Sequence, residues 1–297
     1  MRIVTRGDMD GLTGSVIASL HENIEDIFLI HPQDITSGKV DIVEGDILIN
    51  VPYHPACALW FDHHQHTATY AEPPDEFEGS YGLAPSAARL VYEYYGGSRR
   101  MPEFEELVNA TDRFDSGDLR PGDVITPHGL IQLGFTMDGR TGLGTFHDYF
   151  LTLFDLLRKS TPIEEVLRHP AVAQRCRQMS DAQEKFRTAL ESNSRLEGNV
   201  VVTDFRPLSD VPIGNRFLVY AVFPEANVSL RLHWGPRRRT VVAVIGHSIF
   251  NRTCATDVGD LAARFGGGGH PGAASIPLDP KSADDVVAEL VSHLRVD

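Results

Sequence analysis

The chain has 297 residues, a formal net charge of −14, and a composition that is 42% hydrophobic and 23% charged. Such a length accommodates two domains, each able to bury a core of its own. The acidic balance argues against a protein that coats nucleic acid through a broad basic face, but it leaves room for a small polyanion held by a few local cations and a metal. No window approaches the ~18 consecutive apolar residues of a membrane span. Met1 runs straight into Arg2-Ile3-Val4-Thr5 with no charged leader or apolar segment, so a cytoplasmic protein with no membrane partner is expected. Cys57, Cys176 and Cys254 lie far apart; they predict neither a disulfide framework nor a zinc knuckle and are read as core packing.

In chain order, residues 2 to 5 read as a short strand. The turn Arg6-Gly7-Asp8-Met9-Asp10-Gly11 and a helix over Leu12 to Leu20 follow. Helix capping explains one aspartate of the turn but not the pair, so Asp8 and Asp10 are candidate metal ligands. Further strands are predicted at Ile27 to Ile30, ending at His31-Pro32, at Asp46 to Ile49, ending at Asn50-Val51-Pro52, and at Ala58 to Phe61. The last of these opens into Asp62-His63-His64-Gln65-His66. Imidazole and carboxylate together form a ligand set for a divalent metal, and open parallel sheets place their sites at the carboxyl ends of their strands. The pattern predicts a doubly wound, mainly parallel α/β sheet whose strand ends share one edge.

Residues 72 to 82 are polar and rich in Pro and Gly, and read as a mobile loop. A helix is expected from Ala84-Pro85-Ser86 to about Tyr95, stopped by Gly96-Gly97, and a second from Glu103 to about Ala110. The second helix delivers Asp112, the better candidate for the metal edge, and Asp115, taken as a solvated loop acid. Helices are expected over Thr145 to Leu157 and Ile163 to Leu196, ended by Gly198-Asn199. Beyond a boundary near 190 to 198, strands are predicted at Val200 to Val202, Leu218 to Phe223, Val228 to Leu232 and Val241 to Ile245. Arg237-Arg238-Arg239 reads as an exposed hairpin tip. The run Phe265-Gly266-Gly267-Gly268-Gly269-His270-Pro271-Gly272-Ala273-Ala274-Ser275 allows close backbone approach and positive φ. It is read as a phosphate cradle, distinct from a P-loop because no Gly-Lys-Ser/Thr follows.

Together these stretches resemble the DHH phosphoesterase superfamily. Asp8-Met9-Asp10 matches its first acidic motif, Asp62-His63-His64 its signature, Asp112 its fourth motif, and Gly267 to Ala274 the glycine-rich loop of the DHH-associated C-terminal domain. The wording is closest to bacterial exopolyphosphatase-related sequences; RecJ-type exonucleases, nanoRNases and cyclic-dinucleotide phosphodiesterases are further relatives. The resemblance implies residues 1–190 as the metal-binding catalytic domain, residues 198–297 as a smaller α/β substrate-binding domain, and an active cleft between them. It implies two Mn2+ or Mg2+ ions, Asp8 serving the first and Asp10, His63 and Asp112 the second. Asp62 would orient His63, and His64 would touch the phosphate. Gly267, Gly268, Gly269 and His270 would grip the substrate with help from Arg231 or Arg252.

Two departures from the family pattern stand out. A histidine expected four residues before the first aspartate is Val4, or an acid in its place is Arg6, and the metal-bridging aspartate after the third strand is Asn50. A neutral amide bridges cations less well than a carboxylate. Either His31 or His54 then replaces a lost ligand, or one ion is held tightly and a second weakly. The function expected is metal-dependent hydrolysis of a terminal phosphoanhydride or phosphodiester, on polyphosphate, a short oligonucleotide or a nucleotide bisphosphate. The competing reading is a metal- or phosphate-binding protein of weakened turnover on the same fold. A homodimer is left open.

Overall fold

The computed structural model describes residues 1–64, 74–139, 143 and 147–295. His66 and Gln65, beside the signature, and residues 72 and 73 of the expected loop lie outside them. The chain divides into two units, Met1–Asp118 with Pro127–Arg177, and Leu119–Thr126 with Gln178–Asp297.

In the first unit the short apolar runs become β1 (Arg2–Thr5), β2 (Asp26–Leu29), β3 (Asp46–Ile49) and β4 (Leu59–Asp62). With β5 (Gly79–Tyr81) they form a sheet of order β2-β1-β3-β4-β5, parallel throughout. Near-continuous apolar sequence is what a parallel strand needs, because helices cover both of its faces. On one face Val4, Leu48 and Trp60 pack with Ile35 of α2 (Pro32–Thr36). On the other lies α1 (Met9–Ala18), every residue of which is buried. Against α1 pack α3 (Ala87–Tyr94) and α4 (Glu105–Asp115). The unit also contains α6 (Gly129–Met137), α7 (His147–Arg158) and α8 (Ile163–Arg168), and α5 (Pro121–Ile125) belongs to the second unit.

The expected loop over 72 to 82 is corrected at its end, where Gly79–Tyr81 is the fifth parallel strand. Gly79 has φ +127°, and a Cβ there would lie 2.0 Å from the Trp60 carbonyl oxygen. Gly79→Ala is therefore expected to cost about 2–3 kcal/mol, read as a lower urea midpoint; an unchanged midpoint would show that β5 does not need glycine. The second helix is also longer than its sequence predicts, running to Asp115 rather than Ala110. Burial of Leu107, Val108, Ala110, Thr111 and Phe114 carries it through the weak helix formers Asn109, Thr111 and Asp112.

A long helix, α9 (Pro170–Asn193), leads into the second sheet. Its strands are β6 (Ser194–Glu197), β7 (Val200–Asp204), β8 (Val228–Trp234), β9 (Val241–His247), β10 (Gly268–His270) and β11 (Ala273–Leu278). Their order is β10-β11-β9-β8-β7-β6. β7 and β8 are parallel and the other pairs antiparallel. Alternate residues such as Leu230, Leu232, Ala243, Ile245 and Ile276 form a core with Leu261 and Leu290 of α11 (Val258–Ala263) and α12 (Ala283–Leu294). Both units are α/β, as expected.

Two expectations in this unit are overturned. Leu196 belongs to β6 and not to the preceding helix, since Ser194–Glu197 pairs with β7 across the Gly198-Asn199 turn. The stretch Leu218 to Phe223 is not a strand: Leu218–Val222 forms α10. A short uninterrupted apolar run has no period that separates strand from buried helix.

Candidate metal centre

Because β1, β3 and β4 are parallel neighbours, their carboxyl ends meet at one edge. After β1, Asp8 caps α1 from an extended conformation, its Oδ1 accepting the Gly11 N–H at 2.9 Å. Asp10, just inside the helix and fully buried, accepts the N–H groups of Ala87 at 3.0 Å and Ala88 at 2.7 Å. It thus satisfies two donors that the first turn of α3 leaves open. After β3, Asn50 takes a left-handed φ of 59°, a conformation asparagine tolerates better than most residues. Its Nδ2 donates to Asp8 Oδ1 at 3.2 Å, while its buried Oδ1 has no partner among the described residues.

After β4 come the signature residues. His63 Nδ1 lies 3.0 Å from the Ala84 carbonyl, which can only accept, so Nδ1 carries the hydrogen and Nε2 of the neutral ring offers a lone pair. That Nε2 is buried with no hydrogen-bond partner among the described residues and stands 3.6 Å from Asp10 Oδ2 and 3.4 Å from Asp115 Oδ2. Asp62 Oδ1 accepts the backbone N–H of His63 at 2.9 Å and the ring Nδ1–H of His64 at 2.8 Å. Asp62 therefore orients the His64 ring, and Ala84 that of His63, which corrects the expectation that Asp62 orients His63. The Tyr81 hydroxyl donates to the His64 carbonyl at 2.9 Å. Tyr81 in turn stacks on Trp60 at 4.9 Å, so the aromatic packing under β4 holds the signature in place.

Among the described residues, Asp10, His63 and Asp115 offer ligand atoms that all lie within 4.8 Å of one another. Asp112 is not brought to this group: its carboxylate accepts Ser86 Oγ at 2.6 Å and Arg89 Nε at 2.8 Å, tying α4 to α3. Asp115, taken from sequence as a loop acid, is the last residue of α4. Once the helix is seen to continue, the spacing of three from Asp112 is the signal that two carboxylates sit one turn apart. Neither His31 nor His54 joins the group. His31 caps α2, and His54 Nδ1 accepts the Ala56 N–H at 3.2 Å.

Arg231 lies within β8, on the face opposite Leu230 and Leu232. The exposed Arg252 donates to the Ile249 carbonyl at 3.0 Å. The glycine run differs from the expected nest. Gly268–His270 is an edge strand paired with β11, and within the run only Gly266 has a positive φ. Glycine at 269 serves close approach instead, since a Cβ there would lie 2.2 Å from the Ala273 carbonyl oxygen. An edge strand still leaves alternate amides facing outward.

Electrostatics test whether a cation fits between Asp10, His63 and Asp115. Burial pushes the Asp10 carboxyl up, and the Asp115 charge adds to the shift against His63. Asp115 is raised as well, first by burial, with Asp8 adding and His63 and Arg6 opposing. For His63 burial works downward, but the carboxylates of Asp10 and Asp115 outweigh it and the net shift is upward. A raised acid holds its proton in the fold above the pH at which the unfolded chain releases it. A raised histidine gives stability that is lost as pH climbs through its folded pKa. Both effects run the same way, so the metal-free protein is expected to lose stability as pH rises from about 5 to about 8. Manganese should offset that loss, by about 2.7 kcal/mol at a hundredfold excess over its dissociation constant. Calorimetry in chelator and in Mn2+ across this range checks both; a flat profile with no response to Mn2+ would contradict a cation at this place.

This fold and this histidine-carboxylate edge define a class: the chain belongs to the DHH phosphoesterase superfamily and is a metal-dependent phosphoesterase, a hydrolytic enzyme. The membership rests on a pGpG-specific phosphodiesterase, PggH, from Vibrio cholerae, with 35% identity, a TM-score of 0.84, and coverage of 100% of this chain and 99% of that one. RecJ from Thermus thermophilus, in complex with Mn2+, shares the fold at 12% identity and a TM-score of 0.55, over 100% of this chain and 52% of that one. An exonuclease RecJ bound to manganese does so at 12% identity and a TM-score of 0.51, over 99% of this chain and 90% of that one. No protein-family model and no curated protein matches the chain. Among the described residues no helix is long and apolar enough to cross a membrane.

Proposed function

We propose that the protein hydrolyses the phosphodiester of a short 5′-phosphorylated ribodinucleotide such as pGpG, adding one water to release two mononucleotides. The observation that carries this reading is the 35% identity with the Vibrio enzyme over the whole chain, and the exopolyphosphatase expectation yields to it. Asp10, His63 and Asp115 would hold a Mn2+ or Mg2+ ion, which when bound supplies a water of lowered pKa and neutralises phosphate oxygens. His64, its ring set by Asp62, would touch the phosphate, and Asp10 would keep α3 docked while serving as ligand. The outward amide of the Gly268–Gly269 edge, with His270, would grip the far end of the substrate, Arg231 and Arg252 assisting, while the Gly267 N–H is already donated to the Ala262 carbonyl at 2.9 Å. Residues 1–190 would then carry the chemistry and residues 198–297 the grip.

The test is a Mn2+-supplemented panel of pGpG, polyphosphate and adenosine bisphosphate, read by chromatography of products. The reading expects guanosine monophosphate from pGpG and little from the others. Turnover of polyphosphate alone would return the exopolyphosphatase reading.

A further inference from the structure

The family resemblance implies two ions, yet the residues fit one of them and not the other. The place for a second ion is beside Asp8, where one oxygen already accepts two N–H groups and the other is ion-paired with a guanidinium. Oδ1 accepts from Gly11 N at 2.9 Å and from Asn50 Nδ2 at 3.2 Å, and Oδ2 lies 3.1 Å from Arg6 Nε. Both hydrogen bonds fall on Oδ1, and Oδ2 is ion-paired with the guanidinium. A metal site directs lone pairs at a common point, whereas here Asn50 directs an N–H group at the carboxylate that would be the ligand and the Arg6 guanidinium sets a positive charge beside it.

The amide assignment follows from chemistry, since a carboxylate can only accept and so Asn50 must present its NH2 group. Asn50 in the left-handed conformation therefore fits a neighbour that is already neutralised by a guanidinium. An aspartate at 50 would set a second carboxylate against Asp8 and call for a cation between them. The charge balance agrees: the carboxylates of Asp8, Asp10 and Asp115 are matched by one divalent cation and one guanidinium.

We propose that the protein holds a single tightly bound divalent cation, and that Arg6, seated on Asp8, occupies the place of a second ion and contacts the substrate phosphate directly. A guanidinium is permanently charged, offers five N–H donors in a planar fork and needs no free metal to be in place. It can keep Nε on Asp8 while its terminal nitrogens meet a phosphate oxygen, the charge-assisted geometry in which arginine is strongest. This inference rests on the reading of the site as a phosphoesterase centre holding a divalent ion. It adds a catalytic residue that ligand spacing alone does not reveal.

The test separates the two levels. Equilibrium dialysis with metal analysis, together with electron paramagnetic resonance, is run across a range of Mn2+ on wild type, Arg6→Ala, Arg6→Gln, Asn50→Asp and the double variant Arg6→Ala/Asn50→Asp. Wild type is expected to retain one Mn2+ per chain with the hyperfine pattern of an isolated ion. The double variant is expected to take up two, with the signature of an exchange-coupled pair. The Arg6 side chain is 34% exposed, so its removal leaves the core intact, and Arg6→Gln keeps a donor on Asp8 if the alanine variant folds poorly.

In turnover, Arg6→Ala should lose about 100-fold in kcat/KM at limiting Mn2+ and recover in part as Mn2+ is raised, because an ion can enter where the guanidinium stood. His63→Ala should not recover. Two ions of similar affinity in wild type, or an Arg6→Ala defect indifferent to Mn2+, would overturn the proposal while leaving the phosphodiesterase reading intact. A wild type that binds no Mn2+ would overturn both.

Discussion

His63→Ala is expected to lose on the order of 10³-fold or more in kcat/KM while keeping its far-ultraviolet circular dichroism. The ring does two things at once. Its Nδ1–H is spent on the Ala84 carbonyl, and its Nε2 lone pair stands between the buried carboxylate of Asp10 and the exposed carboxylate of Asp115. Alanine removes the one neutral donor of the group and leaves Asp10 facing Asp115, so a cation is held by fewer ligands of poorer geometry. The fold loses little, because β4 is anchored by Trp60 and Phe61 in the core and by Asp62 on the following backbone. Activity within about tenfold of wild type would remove His63 from the machinery.

Asp10→Ala is expected to damage stability as well as turnover. The carboxylate accepts two buried backbone N–H groups at the start of α3, and alanine leaves both without a partner. Unsatisfied buried donors cost about 1–3 kcal/mol each, so a drop of about 2–5 kcal/mol is expected by urea denaturation in chelator. Asp10→Asn keeps one acceptor and should fall between, with turnover lost in both variants. A wild-type midpoint for Asp10→Ala would mean that α3 does not depend on this residue. The double duty also explains why so buried an acid persists: the cation and the helix terminus both favour its charged form.

Much of this centre is legible in the amino-acid sequence, for identifiable reasons. β1, β3 and β4 are short apolar runs ending in polar residues, so their carboxyl ends announce Asp8, Asn50 and Asp62-His63-His64. What escapes notice depends on tertiary contacts. Gly79–Tyr81 has too little apolar sequence to declare itself a strand and becomes one by pairing with β4. The choice between Asp112 and Asp115 turns on where α4 ends, and buried residues decide that, not propensity. Arg6 looks like an ordinary turn arginine until Asp8 is seen to cap α1 with one oxygen and to meet the guanidinium with the other. Leu218–Val222 and the glycine run are ambiguous for the opposite reason, since apolar or glycine-rich stretches are compatible with several backbones until neighbours select one.

Asp10, His63 and Asp115 hang from α1, the end of β4 and the end of α4, elements that come together only after distant strands have paired. Among the described residues no single element carries more than one of these three ligands, so a nascent or partly opened chain offers them to a cation only separately. The three-ligand grip on a cation therefore exists only once these elements have come together. It then works as a lock on the finished fold, slowing its opening without hastening its formation.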